Sequence, residues 1–195
     1  RDLAKKRQAD FVHPFDDAAV IAGQGTAGLE LAEDAEALGV VLDVVVVPCS
    51  GGGLASGVAL AVKHIHPNAR FVIVEPEGFD DFARSLKSGH RQANASASGS
   101  IADALMAASP GELPFAIGRE LFDDAVTVSD DELRAAMCFA FAELKLVVEP
   151  GGAAALAALL SKQIAVAGRN VGVLLTGGNV DPQDFAHIIS RNRNA

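Results

Sequence analysis

VVVVPCSGGGL, residues 44–54, is the stretch whose reading decides the fold. Four consecutive valines suit a strand buried on both faces, as in a parallel sheet covered by helices. The run breaks at Pro48, and Pro48-Cys49-Ser50-Gly51-Gly52-Gly53-Leu54 leads straight into a helical pattern over 54–65. Successive glycines let backbone N–H groups turn inward, and the helix behind them adds the positive end of its dipole. A strand, a glycine loop and a helix in that order therefore predict a cradle for an anion. The loop carries no lysine like that of a nucleotide P-loop, which points to a small phosphate and away from a Mg-nucleotide. On the residues alone, a tight turn with flexible glycines remains the other reading.

The same alternation of strand and helix extends along the chain. Residues 29–38 are amphipathic and stop at Gly39, and the helix over 54–65 closes at His66-Pro67. Residues 71–74 form a second buried strand, residues 85–100 a polar surface excursion, and residues 125–128 a short strand. Ser129 with Glu132 makes a capping box that starts a helix running towards Val147. Pro150 starts an alanine-rich helix to about Lys162, and residues 171–175 form the last strand. This pattern predicts an α/β fold of three layers, a parallel sheet with helices on both faces. No repeat or linker divides it, so residues 1–195 are expected to make a single domain.

Composition narrows the partners. Half of the 195 residues are hydrophobic and 21% are charged, which places the chain among globular proteins and far from disorder. A formal net charge of −9 argues against nucleic acid and anionic membrane surfaces, which call for basic patches. No apolar run is long enough for a membrane span, and no signal segment opens the sequence. Cys49 and Cys138 make no disulfide framework, so a reducing cytoplasm is the expected compartment. Residue 1 is not Met, and Arg1-Asp2-Leu3-Ala4-Lys5-Lys6 reads like the middle of a helix, so we expect a piece of something longer.

Upstream, Gly23-Gln24-Gly25-Thr26-Ala27-Gly28 spells G-x-G-x-x-G, with Asp43 placed like a ribose-binding acid. A dinucleotide fingerprint needs a strand before its glycines and the acid at the carboxyl end of the next strand. Here a capped helix start, Asp16-Asp17-Ala18-Ala19, precedes the glycines, and Asp43 stands at the entrance of the valine strand. The motif reads instead as a helix–turn–helix junction where small residues permit close packing. A second glycine turn, Leu175-Thr176-Gly177-Gly178-Asn179, follows the last strand. In a parallel sheet it falls on the same edge as the first, which brings the Thr176 hydroxyl towards the far end of a ligand held by the glycine loop. By itself, Thr176 reads more often as a turn or capping residue.

Taken together, His13-Pro14-Phe15-Asp16-Asp17, residues 20–26 (VIAGQGT), residues 50–54 (SGGGL), Glu149-Pro150-Gly151-Gly152-Ala153 and Thr176-Gly177-Gly178-Asn179 stand in the order of a known family. The chain resembles the threonine/serine dehydratase and serine racemase group of pyridoxal-phosphate enzymes, from Phe11 to Asp181. The resemblance implies the carboxyl-terminal part of the large cofactor-binding domain of a fold-type II (tryptophan-synthase-β-like) enzyme, with the N-terminal part absent. It implies pyridoxal 5'-phosphate as cofactor, its phosphate held by Ser50, Gly51, Gly52, Gly53 and Leu54, and its pyridine nitrogen beside Thr176. A hydroxyl there leaves the ring nitrogen largely unprotonated and the ring a weak electron sink, which β-elimination tolerates.

The resemblance further implies Mg²⁺ or Ca²⁺ bound by Glu75, the Phe79 carbonyl and Asp81, in a complete enzyme that is a homodimer acting on an amino-acid substrate. Carboxylates six positions apart across a glycine turn can supply such hard oxygen ligands; without the resemblance, a solvated acidic loop is the plainer reading. The implied activity is dehydration and deamination of L-threonine or L-serine, with serine racemase, hydroxyaspartate ammonia-lyase or a non-catalytic small-anion-binding domain as alternatives.

The departures are specific. The family's Schiff-base lysine lies in an upstream stretch that does not occur here, so no catalytic residue is assigned in this chain. The lysines are Lys5, Lys6, Lys63, Lys87, Lys145 and Lys162, and the only S-x-K, Ser85-Leu86-Lys87, falls in the polar excursion. Ala104 stands where relatives usually carry glycine, narrowing the site beside the ring. His64 and His66 make at most a weak metal pair, and the histidines are expected to be structural or solvated.

Overall fold

The computed structural model describes residues 2–191. Its centre is a parallel sheet of four strands: β1 (Val44–Pro48), β2 (Arg70–Pro76), β3 (Asp124–Val128) and β4 (Val171–Val173), in the order β3-β2-β1-β4. Every residue of β1 is buried, because β2 and β4 flank it and helices cover both faces. Val44 pairs with Arg70 on one side and with Val171 on the other. The helices are α1 (Asp2–Arg7), α2 (Ala18–Ala37), α3 (Gly53–Ile65), α4 (Asp81–Ser88), α5 (Glu112–Leu121), α6 (Asp130–Phe139), α7 (Ala154–Leu160) and α8 (Pro182–Arg191). Val45, Val47, Phe71 and Ile73 project to the layer that holds α2, α3, α4 and α5. Val44, Val46, Val72 and Val74 project to the opposite layer, built from α6, α7 and α8. The three-layer α/β arrangement is as expected.

Several local expectations change. GQGTAG is no junction: α2 runs unbroken through it from its Asp17 cap, whose carboxylate accepts the Ala19 and Val20 amides at 2.8 and 3.2 Å. Glycine weakens a helix by about 1 kcal/mol relative to alanine, and here the loss is offset by contact between two helices. A methyl group on Gly28 would stand 2.7 Å from Val58 Cα, and one on Gly57 would stand 2.3 Å from the Ile21 carbonyl oxygen. The two backbones touch, and only glycine permits it.

The capping box at Ser129 and Glu132 is present, but the helix it starts stops short of Val147. It passes into a π turn over Ala140–Leu144 and ends at Lys145, whose φ of 62° is left-handed. The first residues of the predicted surface excursion belong instead to α4, where Ser85 is fully buried and Lys87 exposed. The alanine-rich segment after Pro150 opens with a short 3₁₀ turn and ends at Leu160. Asp43 is structural: its carboxylate accepts the Asn170 amide at 2.8 Å and so fixes the approach to β4. Among the described residues, no helix is long and apolar enough to cross a membrane.

Candidate active site

The carboxyl edge of the sheet carries the site. β1 ends in Pro48, and Cys49 is tied to the sheet by its amide, which bonds the Val74 carbonyl at 2.8 Å. The glycine loop follows. Gly52 is the N-terminal flanking residue of α3 with a left-handed φ of 93°, and its carbonyl receives the Ser56 amide at 2.9 Å as the first bond of the helix. The Gly53, Leu54 and Ala55 amides stand ahead of that bond, so the helix ladder gives them no acceptor. They converge at the positive end of α3, which is the donor set a phosphate needs. The Ser50 hydroxyl oxygen accepts the Ala107 amide at 3.0 Å, leaving its own proton free to donate.

The turn after β4 closes the other end. Thr176 is exposed, and its amide bonds the Gly152 carbonyl at 3.3 Å. Glu149 shapes the rest of this turn. Its amide donates to the Gly177 carbonyl at 2.9 Å, and its carboxylate accepts the Asn179 amide at 3.1 Å. The Glu149-Pro150-Gly151-Gly152 motif thus acts as the scaffold of the Thr176 turn. Ser50, Gly51, Gly52, Gly53, Leu54 and Thr176 all line one cleft of about 460 Å³. Pro14, Phe15 and Gln24 form another wall that local patterns do not reveal, and Ala104 lines the cleft too. None of the six lysines does.

The two predicted metal carboxylates lie close together and are buried, not solvated. Glu75 ends β2 as a fully buried carboxylate that accepts the Phe82 and Ala83 amides, at 2.9 and 2.8 Å, across the first turn of α4. Asp81 is equally buried: one carboxylate oxygen accepts from Asn94 Nδ2 at 2.6 Å, and the other has no hydrogen-bond partner. Burial raises the Glu75 carboxyl to about 8, against the opposing pull of the Ala83 and Phe82 amides and with the Asp81 charge adding to the rise. Burial likewise raises Asp81 to about 6, opposed by the Asn94 hydrogen bond. A solvated acidic loop is therefore excluded at Glu75 and Asp81, and of the neighbouring acids Glu77 alone is exposed. No group of three or more His, Cys, Asp or Glu side chains gathers for a metal among the described residues. The unpartnered Asp81 oxygen beside a second buried carboxylate fits a divalent cation. His64 is exposed, and His66 flanks the end of α3 with its ring mostly buried; the two form no metal pair.

Comparison with known proteins agrees with this geometry. A family model described as "Pyridoxal-phosphate dependent enzyme" matches residues 1–177. The L-threonine ammonia-lyase of Thermotoga maritima is 38% identical over 189 residues, 97% of this chain and 46% of its own length. The serine racemase of Dictyostelium discoideum is 37% identical over 193 residues, 97% of this chain and 58% of its own. Among solved structures, the processed form of threonine deaminase isoform 2 from Solanum lycopersicum superposes with a TM-score of 0.86 at 32% identity, covering 97% of this chain and 54% of that one. The chain spans about half the length of the curated relatives it matches. With the sheet, the glycine loop at its carboxyl edge and a family match over nearly the whole chain all agreeing, the chain belongs to the pyridoxal-phosphate dependent enzymes.

Proposed function

We propose that this chain is the cofactor-holding part of a longer enzyme that dehydrates and deaminates a hydroxy-amino acid, such as L-threonine or L-serine, to a 2-oxo acid and ammonia. One observation carries the reading: a glycine loop at a helix start and a hydroxyl from the adjacent strand's turn line a single cleft. When bound, pyridoxal 5'-phosphate supplies a ring that draws electrons from the substrate α-carbon. The Gly53, Leu54 and Ala55 amides and the Ser50 hydroxyl would hold the phosphate, and Phe15 and Ala104 wall the cleft. Thr176 would offer the ring nitrogen a hydroxyl, not a carboxylate, a partner that does not itself hold a proton there. That suits a reaction in which the departing β-hydroxyl carries the electrons away. With no lysine on the cleft, the group that takes the α-proton is supplied from outside this chain.

The isolated chain should therefore bind pyridoxal phosphate in preference to inorganic phosphate and form no 2-oxo acid from L-threonine, L-serine or hydroxyaspartate. Borohydride should trap no single dominant lysine. Turnover, or one lysine labelled above all others, would sink the assignment; equal affinity for inorganic phosphate would instead favour a plain anion-binding domain. The serine racemase match favours racemisation as the second reading, and assay of the complete enzyme for D-serine separates the two.

We further propose a divalent cation held by Glu75, the Phe79 carbonyl and Asp81. Binding only the folded chain, it should stabilise by roughly 2.7 kcal/mol at a hundredfold excess over its dissociation constant. The rise in melting temperature between EDTA and millimolar Mg²⁺ should vanish in Asp81→Ala. An equal response in both proteins would remove the metal from this loop.

A further inference from the structure

The segment before α2 and the start of α5, 96 residues apart, close a circuit around the glycine loop. Asp16 Oδ2 accepts the Glu112 amide at 3.0 Å and Asp16 Oδ1 accepts the Leu113 amide at 2.9 Å, so a single carboxylate satisfies the first two amides of α5. Gly111, the residue before them, donates its amide to the Gly51 carbonyl at 3.0 Å. Gly51 and Gly53 in turn lie against Phe15: a methyl on Gly51 would stand 2.4 Å from the Phe15 ring, and one on Gly53 2.8 Å from the Phe15 Cα. His13 completes the local order, its Nδ1 accepting the Asp16 amide at 3.0 Å and its ring meeting Phe15 edge-on at 4.6 Å between centroids. Burial works to raise the Asp16 carboxyl, yet the Glu112 and Leu113 amides, together with the His13 and Arg91 charges, hold the group below its ordinary range.

Three successive glycines are the most mobile loop a chain can build, because each loses more freedom on ordering than any other residue. An anion site, by contrast, depends on donors already aimed before the ligand arrives. We propose that Asp16 is a positioning residue for the glycine loop: by clasping the first turn of α5 it seats Phe15 against Gly51 and Gly53 and aims the free amides of the cradle. Asp16 does not line the cleft and acts through Phe15 and Gly111. The ligand part of this inference rests on the phosphate reading above; the ordering of the loop does not.

The test compares Asp16→Ala, Asp16→Asn and the control Asp17→Ala in the same chain. Asp17 caps α2 in the same way but touches nothing in the loop, so its loss costs a helix cap alone. Two readouts are followed: hydrogen exchange at the Ser56 amide, which bonds the Gly52 carbonyl, and the dissociation constant for pyridoxine 5'-phosphate, which cannot form an imine. In Asp16→Ala, Ser56 exchange should quicken and ligand affinity should fall, each about tenfold. Asp16→Asn, keeping one acceptor, should lie between Ala and wild type, and Asp17→Ala should leave both readouts within twofold although it lowers the melting temperature. The clasp is overturned if Asp16→Ala leaves Ser56 exchange unchanged, or if Asp17→Ala moves both readouts equally. A wild-type chain that fails to bind pyridoxine phosphate overturns the cradle, while Ser56 exchange still decides whether Asp16 orders the loop.

Discussion

Gly52→Asp, introduced into the complete enzyme, should yield a protein that leaves gel filtration without its cofactor. Three effects add at this position. The left-handed φ of 93° strains any side chain by about 1–2 kcal/mol. A Cβ would stand 2.4 Å from the Phe82 ring and 2.8 Å from Pro114, so the loop must shift. A carboxylate would then face the phosphate dianion that the amides of α3 are placed to receive. Gly52→Ala isolates the first two effects and should weaken retention by tenfold or more, since 1.4 kcal/mol is a factor of ten. Absorbance of the eluted protein near the cofactor band measures both variants. An Asp variant that retains a full complement would move the cradle elsewhere.

Gly57→Val should be the most destabilising substitution in the α2–α3 layer. The added Cβ would meet the Ile21 carbonyl at 2.3 Å and the Gly25 nitrogen at 2.6 Å, and both are backbone atoms inside α2. Neither can rotate away, so the helices must part. Overpacking of this kind costs about 3 kcal/mol, a large share of the 5–15 kcal/mol that ordinarily holds a domain together. For a chain of this size the melting temperature should fall by roughly 10 °C. Gly23→Ala is the matched control, because a Cβ there meets nothing within 4 Å and alanine favours the helix. If Gly57→Val melts like wild type, the close approach of α2 and α3 is wrong.

These two glycines also mark where sequence reading succeeds and where it ends. The loop containing Gly52 is legible because its signal is local: four valines, then glycines, then a helical pattern, all within eleven residues. The buried strand at 71–74 and the short strand at 125–128 are legible for the same reason, as is the Ser129–Glu132 box. The helical state of Gly23 to Gly28 is not. Glycine's local meaning is a break, and what overrides it is the backbone of Gly57 and Val58, distant in sequence. Phe15 and Asp16 are visible as part of a motif, yet their work depends on Gly51, Glu112 and Leu113, and no local pattern encodes that. The end of α6 is hidden because residues 140–147 keep helical composition, and no local signal announces the π turn or the left-handed Lys145. At Glu75 and Asp81 the acidic letters suggest water, and burial by the first turn of α4 reverses that.

The register of β1 has a bearing on how the chain reaches this state. Its neighbour β2 follows within one crossover, but the strand on its other side, β4, begins only at Val171. Four consecutive valines must therefore wait, half-paired, until almost all of these residues have been made. Long-range parallel pairing of this kind forms slowly, and a bare apolar strand meanwhile invites other copies of itself. The residues at its two ends answer that hazard. Asp43 places a charge at the entrance, and Pro48 puts a residue without an amide proton at the exit. In the finished sheet they are an anchor for Asn170 and the lead into the cradle; while β1 still lacks β4, the same charge and proline flank it as gatekeepers do.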